Sequence, residues 1–379
     1  MSTKILVLGA GFGGLELTTR LSDALGDEAE ITLIDKAEAF VFGFAKFDVV
    51  FGWKTLEQAR AYYRDILKPG VTFRQENITS IDPVARHVVT DGGEYDADIM
   101  VVGLGAEYNF DATPGFVEGG REFYSIDGAL RLREELPSFT GGRIVIAVLG
   151  EPFKCPPAPC EMAMLLDQWF TERGQRSEVQ ISVVSPWGRP IPPSPDGSKA
   201  ILDRFAERGL SFVKETLVTG IDPAAKVARL RDGGTIPYDL FLGIPRHRAP
   251  AVVTESPLAE NGWIPVDRGT LATKFENVFA VGDVTSVGTP KAGVFSENAA
   301  IIVAEQILAQ VKGGESPRPF GGTGTCYVEF GDSTVARLDA DFFGGPSPVA
   351  PLVGPSPQTA EEKKQFAAIR RRRWFGYTG

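Results

Sequence analysis

The stretch Lys4-Ile-Leu-Val-Leu-Gly-Ala-Gly-Phe-Gly-Gly14 decides the fold of this chain. Its apolar half predicts a buried strand, and Gly9-Ala-Gly11-Phe-Gly-Gly14 has the Gly-x-Gly-x-x-Gly spacing that joins such a strand to a helix. These glycines let the backbone approach a pyrophosphate, whose charge is stabilised by the helix N-terminus. The next apolar strand, Ile31-Thr-Leu-Ile34, ends in Asp35, whose carboxylate would accept hydrogen bonds from a ribose. The sequence therefore predicts a dinucleotide-binding unit here.

A second strand–loop–helix–strand unit lacks the features that bind a nicotinamide dinucleotide. Its first strand, 143–149, runs into Gly150-Glu-Pro-Phe-Lys-Cys-Pro-Pro-Ala-Pro-Cys-Glu161 instead of a glycine loop. Prolines have no N–H group to offer a phosphate. We predict a helix from near Cys160 to Arg173 and a strand over 179–184, after which Ser185-Pro186 contains no carboxylate to hold a ribose. The loss of both features argues against NADH as the electron donor.

Length and composition exclude several function classes. A chain of 379 residues should hold two or three domains, and a net charge of −10 argues against a nucleic-acid partner. The only histidines, His87 and His247, lie far apart in the sequence, so we expect surface or loop positions for both and no metal site. Three cysteines are too few for a disulfide scaffold and favour catalytic or inert roles.

The N-terminal sequence predicts a cytoplasmic location. The chain enters its first strand after three residues, without the charged segment and cleavage site of a signal peptide. We expect no apolar run of the roughly 20 residues that a membrane-spanning helix needs.

Two later strands end in glycine-containing turns that indicate which dinucleotide is bound. One runs from Glu94 into Gly103-Leu-Gly105, and the other from Thr273 into Gly282-Asp283. With these turns the chain resembles the two-dinucleotide-domain, glutathione-reductase-like flavoproteins. The resemblance implies FAD, with Asp283 at its ribityl chain, although Leu104 replaces a threonine of the family's motif. It also implies that a helix from Gly293 to about Gln310 points its N-terminus at the flavin, where the dipole stabilises negative charge.

The same resemblance implies a set of cofactor-binding residues around the glycine loop, the end of the second strand and the two later turns. They are Gly9, Gly11, Phe12, Gly14, Asp35, Lys36, Gly105, Gly282, Asp283, Lys291, Gly293 and Val294.

Within these flavoproteins the chain is most similar to the sulfide:quinone oxidoreductase and flavocytochrome c sulfide dehydrogenase group. The matching segments are Lys154-Cys-Pro-Pro-Ala-Pro159, Pro290-Lys-Ala-Gly293 and Gly324-Thr-Cys-Tyr-Val-Glu-Phe330, and the resemblance covers residues 3 to about 340. It implies a redox-active pair of Cys155 and Cys326. Because 40–52 contains no cysteine for a covalent link, it also implies non-covalent FAD, with the phenylalanines of that segment packed on the flavin or in the core.

The role of Cys160 stays open. Cys155 and Cys160 have the C-x4-C spacing of dithiol reductases, but three intervening prolines prevent a helix across most of that gap. Cys160 either lies at a helix start, where the dipole would lower its thiol pKa, or is a small buried core residue. Glu161, which matches a glutamate of the same group, is either the general base that deprotonates sulfide or an ordinary first-turn acid.

The C-terminal segment has two interpretations. The proline-rich stretch 344–357 predicts an extended loop, followed by a helix from about Thr359 that ends in Arg370–Arg373 and Trp374. A basic helix with a Trp could contact an anionic membrane surface, as in quinone reductases of the group. It could equally dock on the chain's own acidic surface or on a partner subunit.

These observations predict an α/β fold with two Rossmann-like domains, the second inserted in the first. The expected boundaries are 1–112 and 246–318 for the FAD domain, 113–245 for the inserted domain, and 319–379 for a C-terminal redox-Cys segment.

The predicted activity is FAD-dependent oxidation of sulfide to polysulfide or sulfur through the Cys pair, with a quinone or a redox protein as electron acceptor. The alternatives are a thiol or persulfide oxidoreductase, with the proline-rich loop 186–195 shaping its pocket, and a non-catalytic FAD-bearing partner protein.

Overall fold

A computed structural model describes residues 2–315 and 317–377 of the chain. The strands, in chain order, are β1 Thr3–Leu8, β2 Ala29–Asp35, β3 Ala39–Val41, β4 Arg60–Tyr62, β5 Val71–Gln75, β6 Ile78–Asp82, β7 His87–Thr90, β8 Glu94–Asp96, β9 Ile99–Val102, β10 Glu107–Asn109, β11 Gly142–Val148, β12 Val179–Val184, β13 Ser211–Val213, β14 Val218–Asp222, β15 Val227–Leu230, β16 Thr235–Pro237, β17 Leu240–Ile244, β18 Arg246–Arg248, β19 Val278–Ala280, β20 Thr323–Gly331, β21 Thr334–Asp341 and β22 Leu352–Ser356. The helices are α1 Phe12–Leu25, α2 Ala45–Val50, α3 Leu56–Ala59, α4 Phe116–Gly119, α5 Ile126–Glu135, α6 Ala158–Glu172, α7 Pro195–Arg208, α8 Ala251–Thr254, α9 Gly293–Lys312 and α10 Pro357–Phe375.

The first sheet explains why β1 is apolar along most of its length. Its five parallel strands follow the order β19-β9-β1-β2-β5. Ile5 and Val7 face one hydrophobic core, and Leu6 and Leu8 face a second core on the other side of the sheet. A parallel strand that is buried on both faces reads as a continuous apolar run, as β1 does.

The second sheet repeats this architecture. It has four parallel strands in the order β13-β12-β11-β17, and Ile144 and Val145 of β11 again face opposite cores. The predicted fold class, α/β with two Rossmann-like units, is confirmed. In chain order the second sheet comes before β19, the last strand of the first sheet. The domain boundaries given above remain predictions.

Smaller antiparallel sheets surround these two layers. Three-stranded sheets follow the orders β6-β7-β8 and β14-β15-β16, and two-stranded sheets pair β3 with β4 and β10 with β18. The β10–β18 pair opposes Tyr108 and His247. His87 pairs with Asp96 at 2.8 Å near the surface, but His247 is fully buried, so the expectation of a surface or loop position for His247 is wrong.

The C-terminal segment forms a third three-stranded sheet, β20-β21-β22, which packs against α6. This contact brings Cys326 of β20 towards the loop that precedes α6. The prediction of an extended loop over 344–357 is wrong in part, because Leu352–Ser356 pairs with β21 as a strand. Ser356 then caps α10 by accepting a hydrogen bond from the Thr359 N–H at 3.2 Å.

Helix α10 docks on the N-terminal unit. Trp374 is completely buried and donates its indole N–H to Glu16 of α1 at 2.9 Å, while Arg373 donates to the same carboxylate at 3.0 Å. Arg370 donates to Glu297 of α9 at 2.9 Å. The alternative in which Trp374 contacts a membrane surface is therefore wrong, whereas docking on acidic groups of the same chain describes the contacts of Arg370 and Arg373.

Helix α9 is long and apolar enough, by length and composition alone, to cross a membrane. The expectation that no segment reaches that length is therefore wrong. In the structure α9 packs against α1, and its buried residues, among them Ala300 and Ile307, belong to the main core. A buried core helix can have the same length and the same apolar composition as a membrane-spanning helix.

We predict that Trp374→Ala destabilises the protein by about 3 to 5 kcal/mol, because a fully buried indole leaves a cavity and an unpaired Glu16. Urea unfolding followed by tryptophan fluorescence and circular dichroism would measure this change. Ile369→Ala, in the same helix but 61% exposed, is the matched control and should stay within about 0.5 kcal/mol of the parent. Equal, small effects of both substitutions would contradict the docking of α10.

Candidate active site

The glycine loop joins β1 to α1 in the way its spacing predicts. A Cβ atom on Gly14 would lie 1.9 Å from the Gly9 carbonyl oxygen, so only glycine permits this close crossing of strand and helix. Gly9 has a φ of +98°, in the left-handed region that favours glycine. Helix α1 starts immediately afterwards at Phe12, and its first N–H groups point towards the loop.

Asp35 lies at the end of β2, beside this loop. Its carboxylate accepts hydrogen bonds from the N–H groups of Ala10 at 2.7 Å and Ala37 at 2.8 Å. Burial raises the pKa of Asp35 despite these two donors. Lys36, the next residue, is largely exposed and pairs with Glu107 at 3.5 Å. The structure thus holds Asp35 in place and leaves Lys36 at the surface.

A deep cavity opens in front of the glycine loop; we name it the inner cavity. Seven of the residues that the sequence assigns to the cofactor line it: Gly11, Phe12, Gly105, Asp283, Lys291, Gly293 and Val294. Gly293 is the first residue of α9, so the N-terminus of that helix faces the cavity. Cys155, Cys326 and Glu161 line the same cavity.

Three lysines converge on the inner cavity. Burial lowers the pKa of both Lys46 and Lys291 to about 8 and also lowers that of Lys154. The ammonium of Lys291 donates to the carbonyl oxygens of Asp283 and Thr285. Burial raises the pKa of the Asp283 carboxyl, although Lys154 and Lys291 partly offset the effect. The cavity therefore concentrates positive charge next to the Asp283 carboxyl.

Cys155 sits in a strained backbone conformation between this cavity and a second one. Its φ is +51°, in the left-handed region that costs a non-glycine residue on the order of 1 kcal/mol. Two hydrogen bonds hold it there: its N–H donates to the Lys291 carbonyl at 3.0 Å, and its own carbonyl accepts from Ala158 N–H at 3.0 Å. The Cys155 side chain is exposed, while desolvation by the surrounding protein and the charge of Glu161 raise the pKa of its thiol well above the usual value.

The second cavity, which we name the outer cavity, has a volume of about 420 Å³ and lies on the other side of the cysteines. Cys155 and Cys326 line both cavities. Residues of the proline-rich loop, including Trp187, Ile191 and Pro193, form part of the outer wall. The position of this loop confirms that it lines a pocket. The binding of a thiol or persulfide in this pocket stays a prediction.

The three cysteines have free thiols and different surroundings. Cys326 is half-buried on β20, and burial together with the charge of Glu161 raises its thiol pKa to about 12. Cys160 is the third residue of α6 and lies in the hydrophobic core, outside the lining of the inner and outer cavities. The helix starts at Ala158, two residues before its predicted start. Burial raises the pKa of the Cys160 thiol, contrary to the lowering expected from the helix dipole.

Glu161 is a buried acid on the first turn of α6. Its carboxylate accepts a hydrogen bond from the Glu329 N–H at 2.9 Å, and burial raises its pKa to about 7 despite the nearby charge of Lys363. A carboxyl group with this pKa exchanges a proton readily at neutral pH. Glu329 in turn forms a salt bridge with Lys363 of α10.

The second unit offers no free helix terminus to a pyrophosphate. At the start of α6 the Ala158 N–H donates to Cys155, the Cys160 N–H donates to Pro157, and Pro159 has no N–H. At the end of β12, Ser185 is buried and accepts from Trp187 N–H at 3.2 Å. These are the two places where an NADH-binding unit offers helix N–H groups and a carboxylate.

Several functional candidates went unrecognised in the sequence. One feature of the sequence could have identified Lys46 as a functional candidate. It is a charged residue inside the phenylalanine-rich run 40–52, which was otherwise expected to be buried. Of those phenylalanines, Phe40, Phe44 and Phe47 line the inner cavity, whereas Phe42 and Phe51 pack in the core. Lys363 had no signal, because it lies among other charged residues of a surface helix pattern.

The Pyridine nucleotide-disulphide oxidoreductase model matches residues 3–301. The chain belongs to this family. It is 28% identical over 320 residues to the mitochondrial sulfide:quinone oxidoreductase of Dictyostelium discoideum, covering 80% of this chain and 70% of that protein. It is 26% identical over 308 residues to a type II NADH:quinone oxidoreductase of Staphylococcus aureus, covering 75% of this chain and 74% of that protein.

Among solved structures, the X-ray structure of the sulfide:quinone oxidoreductase from Aquifex aeolicus matches with a TM-score of 0.86 at 23% identity. The match covers 98% of this chain and 92% of that one. The predicted membership of the two-dinucleotide-domain flavoproteins is confirmed, and the protein is an FAD-dependent oxidoreductase.

The inner cavity fits FAD. Gly11, the N-cap of α1, lines the cavity and faces open space, which leaves room for close approach of a pyrophosphate to this helix N-terminus, and a second helix, α9, presents its N-terminus to the same cavity. The buried lysines match the negative charge of the cofactor, and Asp283 is placed to accept hydrogen bonds from hydroxyl groups. Asp35 lies beyond the loop, where an adenosine ribose would bind.

We predict that Gly14→Ala abolishes stoichiometric FAD content, because the new Cβ collides with the Gly9 carbonyl oxygen and separates β1 from α1. The ratio of flavin to protein absorbance in the purified protein measures this loss. Gly93→Ala, whose Cβ meets only an ordinary contact of 3.9 Å in a surface hairpin, is the control and should keep full occupancy. Full occupancy in the Gly14 variant would mean that the cofactor is held elsewhere.

Proposed function

We propose that the protein is a sulfide:quinone oxidoreductase-like sulfide dehydrogenase that uses FAD. The observation that supports this most strongly is the position of Cys155 and Cys326, which line the cofactor cavity and the outer cavity together. A thiol pair between a flavin site and a second cavity provides an electron path from a sulfur substrate. The relative from Dictyostelium discoideum is named for the same activity.

The proposed sulfur chemistry starts from the oxidised form of the cysteine pair. Hydrosulfide attacks the Cys155–Cys326 bridge, which leaves a persulfide on Cys155 and a thiolate on Cys326. When bound, FAD accepts two electrons from the reduced pair and passes them to the acceptor. Burial disfavours an isolated thiolate at both positions, so the pair depends on nearby groups that remove a proton.

Glu161 is the candidate for that proton transfer. It lines the inner cavity with both cysteines, and its pKa of about 7 lets it accept a proton from hydrogen sulfide or a thiol near neutral pH. The hydrogen bond from Glu329 N–H fixes the orientation of its carboxylate. We propose Glu161 as the general base, and this role stays a prediction until it is tested.

The electron acceptor is proposed to be a quinone, bound beside the inner cavity. A groove of about 1120 Å³ runs between α2 and α10, and Phe44 lines both the groove and the inner cavity. The ammonium of Lys363 lies 4.8 Å from the Phe44 ring centroid and pairs with Glu329. An aromatic wall suits a quinone ring, and a buried lysine paired with the half-buried Glu329 suits a carbonyl oxygen that takes up protons on reduction.

Peripheral membrane contact would place this groove against a source of quinone. Trp53 is 42% exposed and Ile369 is 61% exposed, and both line the groove beside the lysines and arginines of α10. Basic residues beside exposed apolar groups favour binding to anionic lipid. We propose Trp53 and Ile369 as the membrane-facing residues in place of the buried Trp374. The cytoplasmic location stays a prediction.

We predict that anaerobic sulfide removes the oxidised flavin absorbance, and that NADH does not, because the second unit lacks a nucleotide site. Cys155→Ser and Cys326→Ser should each abolish the reduction by sulfide. Cys160→Ala is the matched control and should retain it, since Cys160 lies in the core. Stopped-flow absorbance near the flavin maximum measures all five cases. Reduction by NADH but not by sulfide would refute the proposed function.

We predict that the rate of flavin reduction by sulfide rises with pH through about 7, because Glu161 accepts protons only in its ionised form. Glu161→Gln should remove this rise and lower the rate constant by about 100-fold or more. Glu172→Gln, an exposed residue on the same helix, is the control and should keep the parent pH profile. An unchanged profile in the Glu161 variant would assign the titration to another group.

A further inference from the structure

Lys46 brings a positive charge into the inner cavity that forms no salt bridge within the described part of the chain. It is the second residue of α2, beside the buried Phe47, and it lines the cavity. Its ammonium donates to the Tyr124 carbonyl oxygen. Glu122 attracts this charge, but its carboxylate already accepts from the N–H groups of Tyr124 at 2.6 Å and Ser125 at 2.8 Å. A cation taken out of water without a paired anion costs free energy unless a ligand supplies the opposite charge.

The other two lysines of the inner cavity are held by the protein itself. Lys291 donates to the carbonyl oxygens of Asp283 and Thr285. Lys154 donates to the Ala106 carbonyl oxygen at 3.2 Å. The charges of both lysines also act on the Asp283 carboxyl, which compensates them in part. The charge of Lys46 is therefore the one that the protein leaves available to a cofactor.

The position of Lys46 indicates which part of FAD it faces. Asp35 lies where the adenosine ribose would bind, and Gly11 lines the cavity at the N-terminus of α1, where the pyrophosphate would bind. The part of the cavity that remains for the isoalloxazine ring is the part next to Cys155. Lys46 belongs to that part, because Tyr124, which accepts from its ammonium, donates its own hydroxyl to the Cys155 carbonyl at 3.4 Å.

Aromatic residues around Lys46 suit a flat ring better than a phosphate. Phe44, Phe47 and Phe123 line the cavity with it, and the rings of Phe47 and Phe123 lie 5.9 Å apart. Such side chains pack against another aromatic ring, whereas a pyrophosphate needs N–H donors. Weak screening in an apolar wall also makes a single charge act more strongly on its neighbours than it would in water.

We propose that Lys46 sets the reduction potential of the flavin by stabilising the negative charge of the reduced ring. Uptake of two electrons and one proton converts the neutral oxidised ring into an anion, so a nearby cation favours the reduced form and raises the potential. The charge of the reduced ring in turn offsets the desolvation of the ammonium. This inference requires FAD in the inner cavity but no particular electron donor, and so it goes beyond the proposed sulfide chemistry.

The reduction potential of the holoenzyme tests this role in the absence of sulfide. Anaerobic photoreduction against a redox dye of known potential measures it. Lys46→Met keeps a long side chain without the charge and should shift the equilibrium towards oxidised flavin by at least about tenfold, which lowers the potential of a two-electron couple by about 30 mV. Lys46→Arg keeps the charge and should stay within about threefold of the parent.

The matched control is Lys274→Met. Lys274 precedes β19 of the first sheet and pairs at the surface with Glu260 at 2.8 Å, so its removal should leave the potential unchanged. Lys46→Gln, which keeps a donor for the Tyr124 carbonyl but carries no charge, replaces Lys46→Met if that variant does not retain flavin. It should lower the potential in the same direction.

The absorbance spectrum of the reduced protein provides the second readout. The parent and Lys46→Arg should show the anionic reduced flavin, and the uncharged variants should shift towards the neutral form at the same pH. An unchanged potential in the uncharged variants, or an equal shift in Lys46→Arg, would overturn the proposal. Loss of FAD from all three Lys46 variants would assign the residue to packing and overturn it as well. Because sulfide is absent, a failure of the proposed function leaves these outcomes unaffected.

Discussion

The hydrogen bond from Cys155 N–H to the Lys291 carbonyl is the contact on which the site depends. It ties the loop of the second unit to the residues that lead into α9, and so sets the cysteine at the boundary between two cavities. The left-handed backbone of Cys155 is tolerated because this bond and the one from Ala158 over-determine its conformation. Where relatives that bind NADH need a glycine loop, this chain has a rigid proline segment that presents a thiol.

Burial of many ionisable groups in one place gives the site its electrostatic character. Desolvation lowers the pKa of Lys46 and Lys291 and raises that of Glu161, so that all three approach the neutral range. Nearby groups of opposite charge offset part of this desolvation energy. Lys154 and Lys291 do so for Asp283, and Lys363 does so for Glu161. The binding of an anionic cofactor and the transfer of protons therefore depend on the same set of buried charged groups.

Local patterns predicted the parts of the fold that short-range geometry controls. The strand over 179–184 matches β12 residue for residue, because turn residues on both sides of an apolar strand fix where it begins and ends.

The contacts made by α10 were not predictable, since Glu16 and Trp374 meet only after the whole chain has folded. An amphipathic helix has the same sequence pattern whether its apolar side faces lipid or protein, which is why the sequence left both interpretations of Trp374 open. The cysteine partnership came from resemblance, because spacing alone left Cys160 as an alternative to Cys326.

The docking of α10 on α1 has a consequence for biosynthesis. Trp374 packs edge-to-face on Phe12, a residue of the glycine loop, with ring centroids 5.5 Å apart. The first dinucleotide unit therefore lacks part of its aromatic core until α10 has emerged from the ribosome. Domains generally fold as units from the N-terminus during synthesis, but this unit is completed by a helix that is synthesised after the whole second unit. Stable cofactor uptake therefore requires synthesis of α10, and a chain without this helix would be held in a form that chaperones and proteases recognise.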